Sequence, residues 1–359
     1  MNIYAILMAG GVGARFWPRS RQKTPKQVLN IVGKKTMIQA TYERLNGITE
    51  SSSIKVVTNE DQAKLIKAQL PDLTNENFYI EPVGRNTAPC IGLAAIHIAA
   101  QDPDGIMVVL PADHVITKVN EFQTIIRLGI EFVEKHDGLV TLGITPSEPA
   151  TGYGYIQSGE EIYKQGTNTV HKVQTFAEKP NWETANRFLE SGDFFWNSGI
   201  FIWKASTILN EINDKLPDVY EPLMTINNSI DTPEYQQILS DMYGRIPSIS
   251  VDFGVMQKAE KVFVIPADMG WNDVGSWETV YEISPKDKNL NSGNFHEIIN
   301  IDSRECYVYS PQKVIALVGV EDLIVVDTGD ALLVCDKNAA QDVKDVVEQL
   351  KKKRLKEWL

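Results

Sequence analysis

The sequence predicts an α/β protein, with a mostly parallel, doubly wound sheet followed by a small all-β unit and a terminal helix. Three observations carry this. Short apolar runs alternate with helical patterns over roughly the first two-thirds of the chain, as strand–helix–strand units require. Four of the five leading runs lack polar alternation or nearly so, which suits strands covered on both faces. Late in the chain the apolar runs become short, evenly spaced and free of helices between them.

The leading strands are Ile3–Met8, Lys55–Thr58, Phe78–Ile80, Ile106–Leu110 and Leu139–Gly143. Thr36 with Gln39 makes a capping box ahead of Ile38, Tyr42 and Leu45, and Gly47 stops that helix. Thr87 and Pro89 open the apolar helix "APCIGLAAIHIAAQ". From about Val170, "HKVQTFAEKP", "SGIFIWKAS" and "KVFVIPA" read as strands of a second sheet or lobe, with Asp252 capping "FGVMQKAE". Polar residues and glycines cluster over Ser284–Glu297 as a linker would. Beyond it "CYVYS", "VIALVG", "LIVVDTG" and "ALLVCD" read as four short strands. The final stretch, with acids early and bases late, is a helix oriented as its dipole prefers.

Composition narrows the function classes. The chain has 359 residues, 43% hydrophobic and 23% charged, enough for one large domain and a smaller one. A net charge of -12 argues against a general nucleic-acid surface, so any phosphate site must be local. Cys90, Cys306 and Cys335 form no C-x-x-C pair, and the start lacks a charged leader and cleavage site. Reduced thiols in a cytoplasm are the simplest reading. No apolar run reaches membrane length, so neither a membrane nor a nucleic acid is expected as partner.

Against that acidic background, "MAGGVGARFWPRSRQKTPKQ" places Arg15, Arg19, Arg21, Lys23 and Lys26 behind a glycine turn, with no acid among them. The Walker and dinucleotide patterns both fail, because Ala14 and Arg15 follow Gly13 and Phe16 stands where a third glycine belongs. What remains is a glycine turn after a strand, whose amides can approach a nucleotide while Arg15 and Lys26 meet its phosphates. The alternative is a tight turn followed by a solvated basic loop. In "EPVGRNTAP", Glu81 can accept the two adjacent donors of guanine, or it is a solvated loop-end acid. In "VVLPADHVI", Asp113 sits where open α/β sheets bind ligands and can hold Mg²⁺ against a phosphate, or it caps the next helix. In "FAEKPN", Glu178 and Lys179 can divide a sugar phosphate between hydroxyls and phosphate, or form a surface ion pair. Asn197 in "FFWNSGIF" lies among aromatic residues beside Gly199, a combination that suits a carbohydrate pocket or an ordinary turn, and Asp273 in "GWNDVGSW" lies between two tryptophans that would hold it still.

Taken together, these stretches resemble the mannose-1-phosphate guanylyltransferases, within the sugar-nucleotide pyrophosphorylases. The glycine turn, "PKQ", "EPVGRNTAP", "PADH", "TGYGYI", "EKP", "WNSGIF" and "GWNDVGSW" follow in the family's order from Met8 to Trp277. The resemblance implies a nucleotidyltransferase domain with a Rossmann-like mixed sheet over 1–287. It implies a small β-helix-like unit with a terminal helix over 288–359, of a kind that commonly takes part in homodimer contacts. The implied reaction joins GTP and mannose 1-phosphate to give GDP-mannose and pyrophosphate with Mg²⁺. By resemblance, backbone at Gly10 and Gly11 faces the nucleotide, and Arg15 and Lys26 hold phosphate. Glu81, Asn86 and Thr87 read guanine, and Asp113 and Asp273 hold the metal. Gly152, Glu178 and Asn197 bind sugar hydroxyls, with Lys179 on the sugar's phosphate. The chain departs from the family's usual residues at Ala14, Phe16 and Arg19, none of them an implied ligand. Longer relatives add a cupin-type isomerase domain; this chain's ending leads us to expect the transferase alone. Two rivals stand: a transferase for another nucleotide or hexose, such as UTP with glucose 1-phosphate, and a non-catalytic sugar-nucleotide sensor on the same fold.

Overall fold

The apolar run at the amino terminus becomes β1 (Ile3–Met8), whose Ala5, Ile6 and Leu7 are wholly buried. It pairs in parallel with β2 (Ile54–Thr58) and β4 (Ile106–Pro111), and β2 with β3 (Phe78–Ile80). The computed structural model describes residues 1–359, which group into two compact units. The first contains Met1–Gly10, Tyr42–Ala112 and Ile116–Trp271; the second contains Gly11–Thr41, Asp113–Val115 and Asn272–Leu359. The 287/288 boundary expected from sequence falls inside the second unit.

The first unit is built on one nine-stranded sheet in the order β3-β2-β1-β4-β9-β6-β10-β8-β7. Its later strands are β6 (Leu139–Ile144), β7 (Gly154–Gln165), β8 (Asn168–Glu178), β9 (Phe194–Lys204) and β10 (Val262–Pro266). The two-residue strands β5 (Val115–Ile116) and β11 (Trp271–Asn272) lie outside it. The three strands expected to form a second sheet or lobe from about Val170, now β8, β9 and β10, therefore join the first sheet. β9 inserts antiparallel between β4 and β6, and β10 runs parallel to β6 and antiparallel to β8. Strand periodicity reports which faces are covered and is silent on which neighbour supplies the hydrogen bonds.

Helices α2 (Glu60–Gln69), α3 (Thr87–Gln101), α4 (Val119–Lys135), α5 (Trp182–Ser191), α6 (Ala205–Lys215), α7 (Pro217–Asn227) and α8 (Tyr235–Tyr243) belong to this unit. Helix α3 is apolar nearly all round because it is buried between the sheet and its helical neighbours: Ile91, Ala94 and Ile96 share a core with Trp203, Ile212 and Leu223. Its cap is Asn86, which accepts from Thr87 N–H at 2.8 Å, one residue earlier than the sequence suggested. Asp252 caps no α-helix; it begins a π-helical turn, Asp252–Met256.

The second unit has its own core, in which Phe16, Trp17 and Met37 pack with Val274, Trp277, Tyr307, Ile324, Leu333 and Val343. Met37 opens α1 (Met37–Glu43), whose capping box forms as expected: Thr36 N–H donates to Gln39 Oε1 at 3.1 Å. The unit's sheet runs β12 (Ser292–Ile301), β13 (Tyr307–Val318), β14 (Leu323–Asp327), β15 (Leu332–Asp336), parallel except for the last pair. The expected linker ends at Asn291, and β12 occupies its remaining residues, disguised by outward-facing Asn294 and Glu297. "CYVYS" and "VIALVG" belong to one strand, β13. Helices α9 (Trp277–Ile283) and α10 (Val343–Lys352) complete the unit. No helix of the chain is long and apolar enough to cross a membrane.

Candidate functional site: an acid–base cavity at the glycine turn

After β1 the chain enters a turn in which Gly13 has φ +80°, a left-handed conformation that side chains resist. A Cβ added there would also lie 2.6 Å from Lys26 Cβ, so glycine is required by both torsion and space. Its neighbours Ala14–Phe16 form a single 3₁₀ turn that presents Arg15 to solvent and buries Phe16. Phe16 meets Trp277 edge-on at 5.2 Å, and Trp277 Nε1–H donates to Trp17 O at 3.2 Å. Those contacts tie "GWNDVGSW" to the glycine turn and explain why its second tryptophan is wholly buried.

Lys26 is the pivot. Its side chain is 5% exposed, and its ammonium donates to Asp113 Oδ2 and to the Asp273 carbonyl, each at 2.9 Å. Burial alone would raise the Asp113 carboxyl, but Lys26, helped by His114, outweighs it and holds the group below the usual carboxylate range. Asp273 precedes Val274, a β-branched residue at φ +49°. That strain persists because Val274 is wholly buried in the core and its N–H donates to Asn272 Oδ1 at 2.7 Å.

Arg15, Lys26, Asp113 and Asp273 thus line one open cavity of about 340 Å³, together with Gly13, His114 and Lys344. The Arg15 guanidinium has no protein partner. The other three bases of the opening stretch serve the fold or lie outside the cavity. Arg19 stacks on the Tyr309 ring at 4.0 Å and donates to Asn30 Oδ1, and Arg21 pairs with Asp330 at 2.6 Å. Lys23 is exposed and does not line the cavity. No group of three or more His, Cys, Asp or Glu side chains is placed to hold a metal. The two cavity carboxylates are the available hard-oxygen donors. They suit a cation such as Mg²⁺, which keeps several waters and takes one or two carboxylates plus substrate phosphates.

In the first unit, Glu81 is buried beside Gly10: a Cβ on Gly10 would stand 3.1 Å from Glu81 Oε2. Tyr243 donates to Glu81 Oε1 at 2.5 Å, and burial raises the Glu81 carboxyl despite that bond. Thr87 Oγ1 accepts from Val251 N–H at 2.8 Å, holding the start of α3. Gly11 belongs to the second unit, where its carbonyl accepts from Gln27 Nε2 at 2.9 Å.

A separate cluster in the first unit brings Glu178, Lys179 and Asn197 together with Asp252. Lys179 Nζ lies 2.9 Å from Glu178 Oε1, on a backbone held at φ +49°. Asn197 Nδ2 donates to Asp252 Oδ1 at 2.7 Å, and Thr141 Oγ1 donates to Asn197 Oδ1 at 3.2 Å. Gly154 opposes Glu178 in register, and a side chain there would collide with Glu178 Oε2 at 2.5 Å. Gly152 lies in the exposed bend before β7, where an added Cβ would meet nothing within 4 Å. Sequence reasoning missed Tyr243 and Asp252. Tyr243 belongs to no motif, and the helical pattern after Asp252 concealed its role.

Burial and the nearby Glu178 charge push Asp252 up to about 6, with the Asn197 bond opposing them. A raised acid costs the fold stability above its folded value, and that cost fades as pH falls through about 6. Asp252→Asn is therefore expected to stabilise the protein by about 2 kcal/mol near pH 8 and by much less near pH 4, where the unfolded chain's carboxyl is also substantially protonated. Thermal unfolding at both pH values checks this, and an equal effect at each would refute it.

Comparisons with known proteins bear on this geometry. A family model described as nucleotidyl transferase matches residues 4–289, and one described as the MannoseP isomerase/GMP-like beta-helix domain matches residues 296–350. A mannose-1-phosphate guanylyltransferase of Klebsiella pneumoniae is 40% identical over 98% of this chain and 75% of its own length. Its namesake in Escherichia coli K12 is 41% identical over 98% of this chain and 74% of its own. A crystal structure described as mannose-1-phosphate geranyltransferase from Thermus thermophilus superposes with a TM-score of 0.86 at 31% identity, covering 98% of this chain and all of that one. The fold, the order of the motifs and these likenesses agree: the chain belongs to the mannose-1-phosphate guanylyltransferase family of nucleotidyl transferases.

Proposed function

We propose that this nucleotidyltransferase moves GMP from GTP to mannose 1-phosphate, giving GDP-mannose and pyrophosphate in the cytoplasm, with Mg²⁺ as cofactor. The observation that carries the reading is the convergence of Asp113 and Asp273, remote in sequence, on one cavity with Arg15 and Lys26. Members of this family act on a nucleoside triphosphate and a sugar phosphate and typically use a divalent metal.

The sugar phosphate is already an anion near neutral pH, so no general base is required. The obstacle is bringing it to the α-phosphorus of another anion. Two like charges ~4 Å apart repel by ~4 kcal/mol at an effective dielectric near 20. Arg15 and Lys26 offset that repulsion on the nucleotide side, and Lys179 does so on the sugar's phosphate. Mg²⁺ held by Asp113 and Asp273 would add charge neutralisation at the phosphates. Backbone at Gly10 and Gly11 lies against the nucleotide, and Gly152, Glu178 and Asn197 bind sugar hydroxyls. Glu81, Asn86 and Thr87 read guanine. A carboxylate oxygen accepts more than one hydrogen bond, so the Tyr243 contact leaves Glu81 acceptor capacity.

Initial rates of pyrophosphate release, with GTP or UTP against mannose or glucose 1-phosphate, test the assignment. GTP with mannose 1-phosphate is expected to be fastest; a preference for UTP or glucose 1-phosphate overturns it. Glu81→Gln is expected to lower the GTP-to-UTP preference by about tenfold or more, because one buried acceptor becomes a donor. An unchanged preference would take Glu81 out of base reading.

We assign the transfer chemistry to residues 1–287 and self-association to residues 288–359. Ile299, Ile301, Val314 and Val318 are each more than half exposed. They lie on register-paired strands β12 and β13, a patch of the kind that self-complementary interfaces cover. Sedimentation of the intact chain should give twice the chain mass.

A further inference from the structure

One residue of the cavity wall comes from neither the opening stretch Gly13–Lys26 nor the two aspartate loops. Lys344 lies in the first turn of α10, far from the other lining residues in sequence and within the stretch matched by the beta-helix family model. The helix is fixed in place. Val343 and Val347, four positions apart on one face, are buried in the core that holds Phe16 and Trp17. That packing sets α10 against the turn bearing Arg15, and the residue after Val343 is carried to the cavity. Lys344 is exposed and forms no ion pair, although Asp345 and Glu348 share its helix. Glu348 is engaged instead by Lys351 at 2.7 Å.

The charges in the cavity point one way. Lys26 is already committed to Asp113, so Arg15 and Lys344 are the cations left without a protein partner. Two unpaired, solvent-facing cations suit the most highly charged and most hydrated portion of the substrates, the end of the triphosphate that departs.

We propose that Lys344 binds the β- and γ-phosphates of the nucleotide, and the pyrophosphate they become, so that the carboxy-terminal unit completes the phosphate site. This deepens the function proposed above and rests on it. Lys344 is a binding residue here, with no role in reading the base or the sugar.

The test uses Lys344→Met, which keeps the stem and removes the charge, Lys344→Arg, which keeps the charge, and Lys351→Met as a control on the same helix. In the forward reaction, Lys344→Met is expected to raise KM for GTP about tenfold, with KM for mannose 1-phosphate within about twofold of wild type. In the reverse reaction, KM for pyrophosphate should rise to a similar extent while KM for GDP-mannose holds. Lys344→Arg should restore most of the loss, and Lys351→Met should behave as wild type. Unchanged KM values for GTP and pyrophosphate, an equal loss for the sugar substrates, or the same loss in Lys351→Met would each overturn the proposal. Calorimetric titration of wild type and Lys344→Met with magnesium pyrophosphate alone needs no turnover. Weaker binding to the variant supports the proposal even if GTP and mannose 1-phosphate prove to be the wrong substrates, and equal binding refutes it.

Discussion

Asp113→Asn and Asp273→Asn are each expected to cut turnover by about 100-fold or more at saturating Mg²⁺, with affinity for GTP much less affected. Asparagine keeps the size and one oxygen of the side chain and removes the charge a divalent cation needs. The structure separates the two variants in a second respect. Lys26 donates to the side chain of Asp113 but only to the backbone carbonyl of Asp273. Asp113→Asn therefore leaves a buried ammonium without its counter-charge and is expected to lose roughly 1–3 kcal/mol of stability as well. Asp273→Asn spares that pair and should unfold at nearly the wild-type temperature. Steady-state rates with thermal unfolding of both variants read the two effects separately. Near-normal turnover in either variant would remove that residue from the metal site, and equal destabilisation of both would contradict the Lys26 geometry.

Lys26→Met should be equally damaging to activity, for a different reason. The ammonium joins two loops by holding Asp113 Oδ2 and the Asp273 carbonyl at 2.9 Å each. Methionine fills the same buried space beside Gly13 but donates nothing, so both acceptors lose the ammonium and Asp113 keeps its charge with its main compensation gone. Turnover is expected to fall by about 100-fold or more, and the Mg²⁺ concentration giving half-maximal rate should change with it. A variant that lost stability alone, with turnover per folded molecule and Mg²⁺ dependence unchanged, would reduce Lys26 to a scaffold residue. Lys26→Arg is not a conservative control, because a planar fork cannot occupy the single point from which the lysine reaches both oxygens.

Much of this arrangement was legible in the sequence where local physics decides the outcome. The strands Ile3–Met8 and Phe78–Ile80 match their expected bounds, because apolar runs flanked by turn residues leave few alternatives. The capping box at Thr36 is a local device and was read as such. Legibility failed where distant parts of the chain decide. β9 reads as a strand only from Ser198 onward, and nothing in "FFWNSGIFIWK" announces insertion between β4 and β6. Of the five bases after the glycine turn, Arg19 and Arg21 are taken by Tyr309 and Asp330, partners some three hundred positions away. Asp252 passed for a helix cap because its partner, Asn197, lies on another element. Lys344 sits in a charged helix whose outer face looks solvated throughout, and only the burial of Val343 and Val347 turns it toward the cavity.

Phe16 and Trp17, which anchor the phosphate-facing turn, share their packing with Tyr307, Ile324, Leu333 and Val343. The turn has no apolar support of its own, so it melts when the small sheet melts. Any opening of that small sheet would extinguish the chemistry, whatever the state of the nine-stranded one. Its working lifetime then cannot outlast the smaller of its two bodies, and substitutions that strengthen only the larger one leave that limit in place.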